Sequence, residues 1–276
     1  MTAAAPSSAH GRCGASYDRA VNQSHDPLKP FVSAWVALSG QITATVGRTR
    51  VGPDGTLLKS SGTPVASLNA VISPEPDPDP EVIAALVEAE ETWELPWSIH
   101  VRGVPSPRVT EFAARHGLTR FDRMPLMIRR VATGLPEAPA IDALRMRVVS
   151  PTEFDTYTAV LAEGFGAPHA LMRTLILPSM TKIEGLTVYV AEVDGRPVGT
   201  GWTAISGELT GILNVSVLPA FRRRGYGRAI TAELVRAGFA TGAPTAYLYA
   251  TAMGESVYAS LGFRTEEHLT VITPGE

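Results

Sequence analysis

The chain has 276 residues, of which 45% are hydrophobic and 18% are charged, and its net charge is −3. This length suffices for about two domains, each with a core of its own. The slightly acidic balance disfavours nucleic acid or an anionic membrane as a partner, because both require a basic surface. The single cysteine, Cys13, excludes a disulfide within one chain and favours a reducing, cytoplasmic setting.

The N-terminus and the histidines narrow the class of protein further. Residues 1–29 are rich in Ala, Ser and His without periodicity, so we predict a flexible N-terminal arm. Residues 1–9 lack the basic and apolar segments of a signal peptide, and no run approaches the ~18 apolar residues that a membrane helix needs. The six histidines show no metal-ligand spacing, so we expect no metal site.

Residues 30–132 alternate between helical and strand patterns, and we interpret them as one domain. In chain order, the patterns predict a helix over 31–38, strands over 41–50 and 65–72, a helix from Pro80 to Trp93 with Asp79 as its N-cap, a strand over 97–102, a helix from Pro107 to Gly117 and a strand over 121–131. Residues 133–140 combine Gly and Pro and are predicted to be a linker.

Residues 141–276 are predicted to form a second domain, an α/β unit built on a mixed sheet. Its predicted elements are a strand over 144–149, helices over 151–164 and 169–180, strands over 187–193, 198–205 and 211–218, a helix over 225–240, a strand over 246–250, a helix over 255–261 and a strand over 263–272. The pair Asp194-Gly195 predicts a tight hairpin turn between the second and third strands.

One turn of this second domain has the chemistry of an anion site. Residues 213–228 read Leu-Asn-Val-Ser-Val-Leu-Pro-Ala-Phe-Arg-Arg-Arg-Gly-Tyr-Gly-Arg. A strand ends at Pro219, and an arginine-rich turn then leads directly into an amphipathic helix. Free N–H groups and the helix dipole attract phosphate at such a helix start, and Gly225 and Gly227 allow a ligand to approach the backbone. The alternative is an ordinary helix start on a basic surface.

This segment resembles the signature of the GNAT acetyltransferase superfamily, which is Gln/Arg-x-x-Gly-x-Gly/Ala after the fourth strand. The resemblance implies a GNAT fold and acetyl-CoA as co-substrate. It also implies that the loop amides hold the pyrophosphate and that the preceding strand pairs with the pantetheine arm. The residues that it assigns to acetyl-CoA are Val215, Ser216, Val217, Arg222, Arg223, Arg224, Gly225, Tyr226, Gly227 and Arg228.

A second motif concerns the leaving group. Residues 258–263, Tyr-Ala-Ser-Leu-Gly-Phe, resemble the Tyr-x-x-Leu-Gly-Phe ending of the same family. The resemblance implies that Tyr258 protonates the departing thiolate, and an ordinary core tyrosine is the alternative. The asparagine that the family often places after its fifth strand is missing, since residues 251–254 read Thr-Ala-Met-Gly.

The sequence assigns the general base less directly. An acceptor ammonium group, with a pKa near 10, must lose its proton before the amine attacks a thioester. The predicted fourth strand, 211–218, contains no acidic residue. Glu163, Glu192 and Glu208 are the nearest carboxylates; we take Glu163 as the first candidate, and proton transfer through ordered water is an equal alternative.

The two halves of the chain resemble each other at a constant offset. Residues 68–74, Leu-Asn-Ala-Val-Ile-Ser-Pro, resemble residues 213–219, which lie 145 positions later. The same offset relates Gly117-Leu118 to Gly262-Phe263. The order of predicted elements is also shared, so we predict an internal repeat.

The two copies differ at the anion site. Asp77 and Asp79 stand where the second half has Arg222 and Arg224, and a proline replaces Gly225. Carboxylates repel a pyrophosphate and proline lacks an N–H donor, so the first copy should not bind CoA. It resembles the degenerate N-terminal domains of tandem GNAT proteins.

This resemblance implies that the first domain packs against the second one and helps to wall the acceptor pocket. Trp97 and His100 are candidates for that wall, and a buried core position or an exposed strand face is the alternative for these residue types. The favoured interpretation is therefore an enzyme that moves an acetyl group from acetyl-CoA to a small-molecule or peptide amine. A non-catalytic acyl-CoA-binding sensor is the alternative, and the acceptor, the acyl chain length and the oligomeric state stay open.

Overall fold

The computed structural model describes residues 26–89, 94–134, 136, 141 and 143–275. Cys13, Trp93 and most of the predicted linker lie outside these ranges. The seven α-helices are α1 Lys29–Ala44, α2 Pro80–Glu88, α3 Pro107–Arg115, α4 Phe154–Phe165, α5 His169–Leu175, α6 Tyr226–Ala240 and α7 Glu255–Ala259. The eleven strands are β1 Arg48–Val51, β2 Leu57–Ser60, β3 Asn69–Ile72, β4 Ser98–Arg102, β5 Leu118–Arg130, β6 Leu144–Val148, β7 Leu186–Val193, β8 Arg196–Ser206, β9 Leu209–Val217, β10 Thr245–Tyr249 and β11 Arg264–Pro274.

All of these strands belong to one mixed sheet, in the order β1-β2-β3-β4-β11-β5-β10-β9-β8-β7-β6. The predicted α/β fold with a mixed sheet is confirmed. The order contains an exchange: β5 comes from the first half of the chain but lies between β10 and β11, and β11 comes from the second half but lies between β4 and β5. Each half thus contributes its last strand to a place beside the strands of the other half.

The helices cover the two faces of this sheet. The face that carries α1, α4 and α5 is called the front face, and the face that carries α2, α3, α6 and α7 is called the back face. On the front face, Phe31 and Val36 of α1 pack against Ile72 and Leu126. On the back face, α2 and α3 cover β2–β4 and β11, while α6 covers β8–β10.

Several local predictions are confirmed in detail. Asp79 caps α2, because its Oδ1 accepts a hydrogen bond from the Glu81 N–H at 3.0 Å. Pro80 occupies the first helical position, where its missing N–H has no intrahelical acceptor to lose. Asp194 and Gly195 both have positive φ, 50° and 73°, as a two-residue hairpin turn with right-handed strand twist requires.

Several element boundaries were predicted wrongly. The helix predicted from Pro80 to Trp93 ends at Glu88. The strand predicted over 41–50 is wrong at its start, because α1 continues to Ala44 and keeps Ile42 on the front apolar cluster. The strand predicted over 65–72 begins only at Asn69, after a 3-10 turn. The helix predicted over 169–180 ends at Leu175, and Pro178 begins a separate 3-10 turn because it lacks the N–H that a continuing helix needs.

Candidate active site

A cleft opens between two parallel strands in the second half of the chain. β9 and β10 pair through Leu209–Gly211 and Thr245–Tyr247. Beyond this short ladder, the edge of β9 over 213–217 has no strand partner on the β10 side in the described part of the chain. The unpaired N–H and C=O groups of this edge are available to a ligand with amide groups of its own.

A β-bulge shapes the β9 side of the cleft. Its position is given by the register with β8, where Thr200 pairs with Ser216 but Trp202 pairs with Leu213. Within the bulge, Asn214 has φ 48°, a left-handed conformation that asparagine tolerates better than most residues. The Thr200 hydroxyl donates to the Asn214 carbonyl at 2.9 Å and holds the bulge in place.

The bulge also decides which side chains of β9 face α6. Val215 and Val217 are half-buried and pack against the apolar cluster under α6. Ser216 points the other way and is buried, with its Oγ 2.7 Å from the Thr200 hydroxyl. Its Oγ also lies against Gly164 of α4, where there is no room for a Cβ. Of the three predicted strand residues, Ser216 can therefore meet a ligand only through its backbone.

The loop after β9 places free N–H groups at the cleft. Gly225 has φ 86° and precedes α6 as its N-cap. The hydrogen bonds of the helix begin with the Ala229 N–H, which donates to the Gly225 carbonyl at 3.0 Å. The N–H groups of Tyr226, Gly227 and Arg228 therefore have no acceptor within the helix, which is the arrangement that binds phosphate.

The four arginines of this loop have different environments. Arg222 folds back: its Nη2 donates to the Gly164 carbonyl at 2.8 Å and its Nε to the Val217 carbonyl at 3.2 Å. It thus ties the C-terminal end of α4 to the end of β9. Arg223 and Arg224 are exposed beside the free N–H groups. The Nε of Arg228 is buried and has no hydrogen-bond partner within the described residues.

Tyr258 lies on α7 and is half-buried next to the same cluster as Val215 and Val217. Its ring packs edge-on against Phe263, with centroids 6.1 Å apart. Burial raises the pKa of the Tyr258 hydroxyl to about 12, so this group stays protonated at neutral pH. A protonated hydroxyl near the cleft is able to donate a proton to a leaving group.

The three candidate bases are distributed over the molecule. Glu163 is exposed on α4, adjacent to Gly164 and hence close to Ser216. Glu192 lies on β7, two strands from the cleft, and is ion-paired with Arg147 at 2.8 Å. Glu208 precedes β9 and, at about 3.3 Å per residue, lies roughly 20 Å along the strand from the bulge. Only Glu163 is near the cleft.

The two residues predicted to wall the acceptor pocket lie on opposite faces. Trp97 is buried in the back cluster with α2 and α3, so its assignment to the wall is wrong. His100 is on the front face, where it stacks on Trp35 of α1 with ring centroids 6.3 Å apart. Burial, and then the charge of Lys59, lower the pKa of His100 to about 3, so its ring is neutral.

The front face also contains residues that sequence patterns did not single out. Trp35 contacts the ring of Tyr249 at a centroid distance of 4.7 Å, next to the end of β10. No periodicity marks this contact, because α1 and β10 are separated by some 200 residues of sequence. No group of three or more metal-ligating side chains occurs among the residues that the structure describes. None of the described helices is long and apolar enough to cross a membrane.

The chain is similar in sequence to known acetyltransferases. Residues 184–265 match the family model of the acetyltransferase (GNAT) domain. The chain is similar to mycothiol acetyltransferases from Streptomyces avermitilis (33% identity) and Streptomyces coelicolor (30% identity), over 174 residues in each case. These alignments cover 56% of this chain and 56% of each relative, so the chain spans about half the length of the curated relatives that it matches.

Solved structures extend the similarity over most of the chain. A GCN5-related N-acetyltransferase from Kribbella flavida superposes with a TM-score of 0.66 at 20% identity, covering 92% of this chain and 98% of that one. A GCN5-related N-acetyltransferase from Sphaerobacter thermophilus gives a TM-score of 0.57 at 17% identity, with coverages of 91% and 95%. At these identities the matches show a shared fold.

Proposed function

Since residues 184–265 match the family model of the GNAT acetyltransferase domain, we propose that the protein transfers an acetyl group from acetyl-CoA to an amine. The observation that supports this proposal best is the divergence of β9 from β10. The diverging strands leave a free strand edge that ends at the N-terminus of α6. A pantetheine arm carries amide groups that suit the first feature, and a pyrophosphate carries the charge that suits the second one.

We assign the parts of acetyl-CoA to residues as follows. The free N–H groups of 226–228, together with the exposed guanidinium groups of Arg223 and Arg224, bind the pyrophosphate. The backbone of 213–217 pairs with the pantetheine amides. Arg222 acts differently from its neighbours: it positions the end of β9 through the Val217 carbonyl.

The reaction needs no covalent enzyme intermediate. The amine nitrogen attacks the thioester carbonyl carbon, a C–N bond forms and the C–S bond breaks. Tyr258 protonates the departing thiolate and is reprotonated from water. The surplus proton of the amine leaves through Glu163 or ordered water, and the products are an N-acetyl amide and free CoA.

The first half of the chain is proposed to be non-catalytic. The strands that correspond to the cleft, β3 and β4, stay paired over Ala70–Ile72, and the Ser73 N–H still donates to the His100 carbonyl at 3.1 Å. The carboxylate of Asp79 already caps α2 where an anion site would need free N–H donors. We therefore propose that residues 30–132 support the catalytic domain, 141–276, without binding CoA.

A thermal-shift titration with acetyl-CoA tests the donor site. Saturation at about 100 times Kd adds roughly 2.7 kcal/mol to the free energy of unfolding and raises Tm by several degrees. The variant Arg223→Glu/Arg224→Glu should abolish the shift without changing Tm in the absence of ligand. The matched control is Arg196→Glu/Arg264→Glu, which reverses the same charge at exposed positions elsewhere.

Turnover with a panel of amines tests the activity itself. The panel should include acceptors related to mycothiol, because two relatives are named for that thiol. Release of free CoA that depends on the amine supports an acetyltransferase. A ligand shift without turnover of any amine would instead indicate the non-catalytic acyl-CoA sensor. If neither wild-type shift nor turnover is observed, the proposed function is wrong.

A further inference from the structure

A pocket of about 490 Å³ lies on the front face beside the cleft. Its floor is formed by the first residues of β5 and the last residues of β11, and its walls are formed by segments that precede β3 and β4. The lining residues are Pro64, Val65, Ala66, Ser67, Pro96, Arg120, Asp122, Met124, Val271, Thr273 and Pro274. One strand of the floor therefore comes from each half of the chain.

The pocket adjoins the end of β10, where the cleft opens. The Ala250 N–H, directly after β10, donates to the Pro125 carbonyl of β5 at 2.9 Å. Met124, the next residue on β5, lines the pocket. Because neighbouring strands lie about 4.8 Å apart, the floor begins roughly 5 to 10 Å from β10. Leu68, which follows the pocket wall, packs in the same apolar cluster as Leu213 at the cleft edge of β9.

The pocket wall is held by a buried polar network. Asn69 is fully buried, and its Nδ2 donates to the Thr63 carbonyl at 2.7 Å and to the Pro96 carbonyl at 2.9 Å. The Ser98 hydroxyl donates to the Ala66 carbonyl at 3.0 Å. These bonds fix the two wall segments relative to each other, so the pocket exists before a ligand arrives.

The lining has one charge of each sign at the end of an otherwise mostly apolar surface. Arg120 and Asp122 form an ion pair at 3.1 Å, and their side chains are 59% and 50% exposed. Met124 lies between this pair and the end of β10, and Val271 is the cross-strand partner of Asp122 on β11. A ligand that matches this order has an apolar middle and carries both a negative and a positive group at its far end.

The counterpart of this pocket, beside the ends of β3 and β4, is filled. Position 267 lies 145 residues after Asp122 on the antiparallel partner strand, and there Glu267 is ion-paired with Arg102 at 2.8 Å. Arg102 also pairs with Asp26, and its side chain is only 2% exposed. The pocket beside the cleft of β9 and β10 is thus open, and its counterpart beside the ends of β3 and β4 is plugged.

We propose that this pocket binds the acceptor, and that the acceptor is a free amino acid with a second amine on its side chain, as in lysine or ornithine. The inference rests on the proposed function. The α-carboxylate pairs with Arg120 and the α-ammonium with Asp122, while the methylene chain passes over Met124. The side-chain amine then reaches the thioester in the cleft, becomes acetylated and releases free CoA.

Three acceptors that share a primary amine test the recognition of both charges. Lysine carries the full zwitterion, cadaverine lacks the carboxylate, and 6-aminohexanoate lacks the α-ammonium. We expect kcat/KM for lysine to exceed that for each of the other two at least ten-fold, mainly through KM. Norleucine, which has the zwitterion but no side-chain amine, should compete with lysine and not with acetyl-CoA. Equal kcat/KM for lysine and cadaverine would overturn the proposal.

Variants of the pocket give an independent readout. Arg120→Ala should lower kcat/KM for lysine about ten-fold and leave the value for cadaverine unchanged, because cadaverine has no carboxylate for Arg120 to bind. Arg123→Ala is the matched control, because strand alternation turns Arg123 to the back face. Met124→Trp should fill the pocket and lower kcat/KM for both amines, with the thermal shift by acetyl-CoA retained.

The experiments distinguish a wrong acceptor assignment from a wrong proposed function. If wild type acetylates amines but the pocket variants leave lysine unaffected, the acceptor assignment is wrong and the acetyltransferase activity stands. If acetyl-CoA gives a thermal shift but no amine is acetylated, the acceptor assignment and the transferase activity are both wrong. Without a thermal shift, the donor site itself is wrong.

Discussion

Met124 of β5 and Leu269 of β11 are direct cross-strand partners, and they are 145 residues apart in the sequence. This is the same offset at which residues 68–74 resemble residues 213–219. A local two-fold axis through the sheet therefore passes between these two side chains, and each half of the chain extends its last strand across the axis. The internal repeat itself stays a prediction, and this pairing supports it.

Because the two halves exchange their last strands, β5 and β11, we predict one cooperative unfolding transition. Since β5 is paired with β10 and β11 on its two sides, neither half of the sheet can open without breaking strands of the other. Differential scanning calorimetry of the full chain should give a single peak with a calorimetric enthalpy close to the van't Hoff value. Two separable peaks would mean that the halves unfold independently.

Substitution of Arg222 should mainly affect stability, and substitution of Arg224 should mainly affect acetyl-CoA binding. Arg222→Ala removes two hydrogen bonds to backbone carbonyls, so we expect about 1 kcal/mol lower free energy of unfolding, measured by urea denaturation. Arg224→Ala should leave stability within about 0.5 kcal/mol and weaken acetyl-CoA binding. If Arg222→Ala instead weakened acetyl-CoA binding and Arg224→Ala lowered the free energy of unfolding, Arg222, and not Arg224, would contact the pyrophosphate.

Tyr258→Phe should lower kcat about 100-fold and leave the acetyl-CoA thermal shift unchanged, because the variant removes a proton donor and keeps the packing. Burial raises the pKa of Tyr258 to about 12, so the wild-type acid stays protonated and kcat should show no alkaline loss from this group below about pH 11. Tyr189→Phe is the control, since Tyr189 of β7 is also half-buried against the same apolar cluster but lies outside the binding loop. An unchanged kcat would identify Tyr258 as a core residue.

Lys59→Met should stabilise the protein. Lys59 is 8% exposed beneath α1, and burial lowers the pKa of its ammonium group to about 8 from 10.5. At pH 7 the folded state therefore keeps a charge that is desolvated, at a cost on the order of 3 kcal/mol. Lys182→Met, at an exposed position, should change the free energy of unfolding little.

The same group predicts a pH dependence with a definite sign. Between pH 8 and 10.5 the unfolded chain holds a proton on Lys59 that the folded chain has released. Stability linked to this group therefore rises with pH across that window. Urea denaturation at pH 8 and pH 10 should show this increase in wild type relative to Lys59→Met, and parallel curves would contradict the buried-lysine account.

The sequence was most informative where structure is local. The free N–H groups of 226–228 follow from a turn and a helix start that are adjacent in the chain, so the motif could be recognised directly. The hydrogen bond from Arg222 to the Gly164 carbonyl could not be predicted from the sequence, because Gly164 is 58 residues away. The orientation of Ser216 was hidden as well, since the bulge at Asn214 shifts the alternation of β9 by one residue.

The strand order could not be predicted from the sequence for a related reason. The pattern of β5 fits a strand in either half, and its place between β10 and β11 depends on pairing with residues more than 100 positions later. The length of α1 was likewise decided at a distance, because Ile42 packs on a cluster built by the second half.

The pocket beside the β9–β10 cleft is open, and its counterpart beside β3 and β4 is plugged. Substitutions on the two sides of the sheet therefore have different consequences for ligand binding. A substitution in the first seven residues of β5 alters the floor of the acceptor pocket, although β5 belongs to the half without an anion loop. If residues 26–130 were lost, β10 and β11 would face each other across a gap one strand wide, roughly 10 Å. If the pocket binds the acceptor as proposed, selectivity for a new acceptor would therefore arise through mutations in the half that is proposed to be non-catalytic.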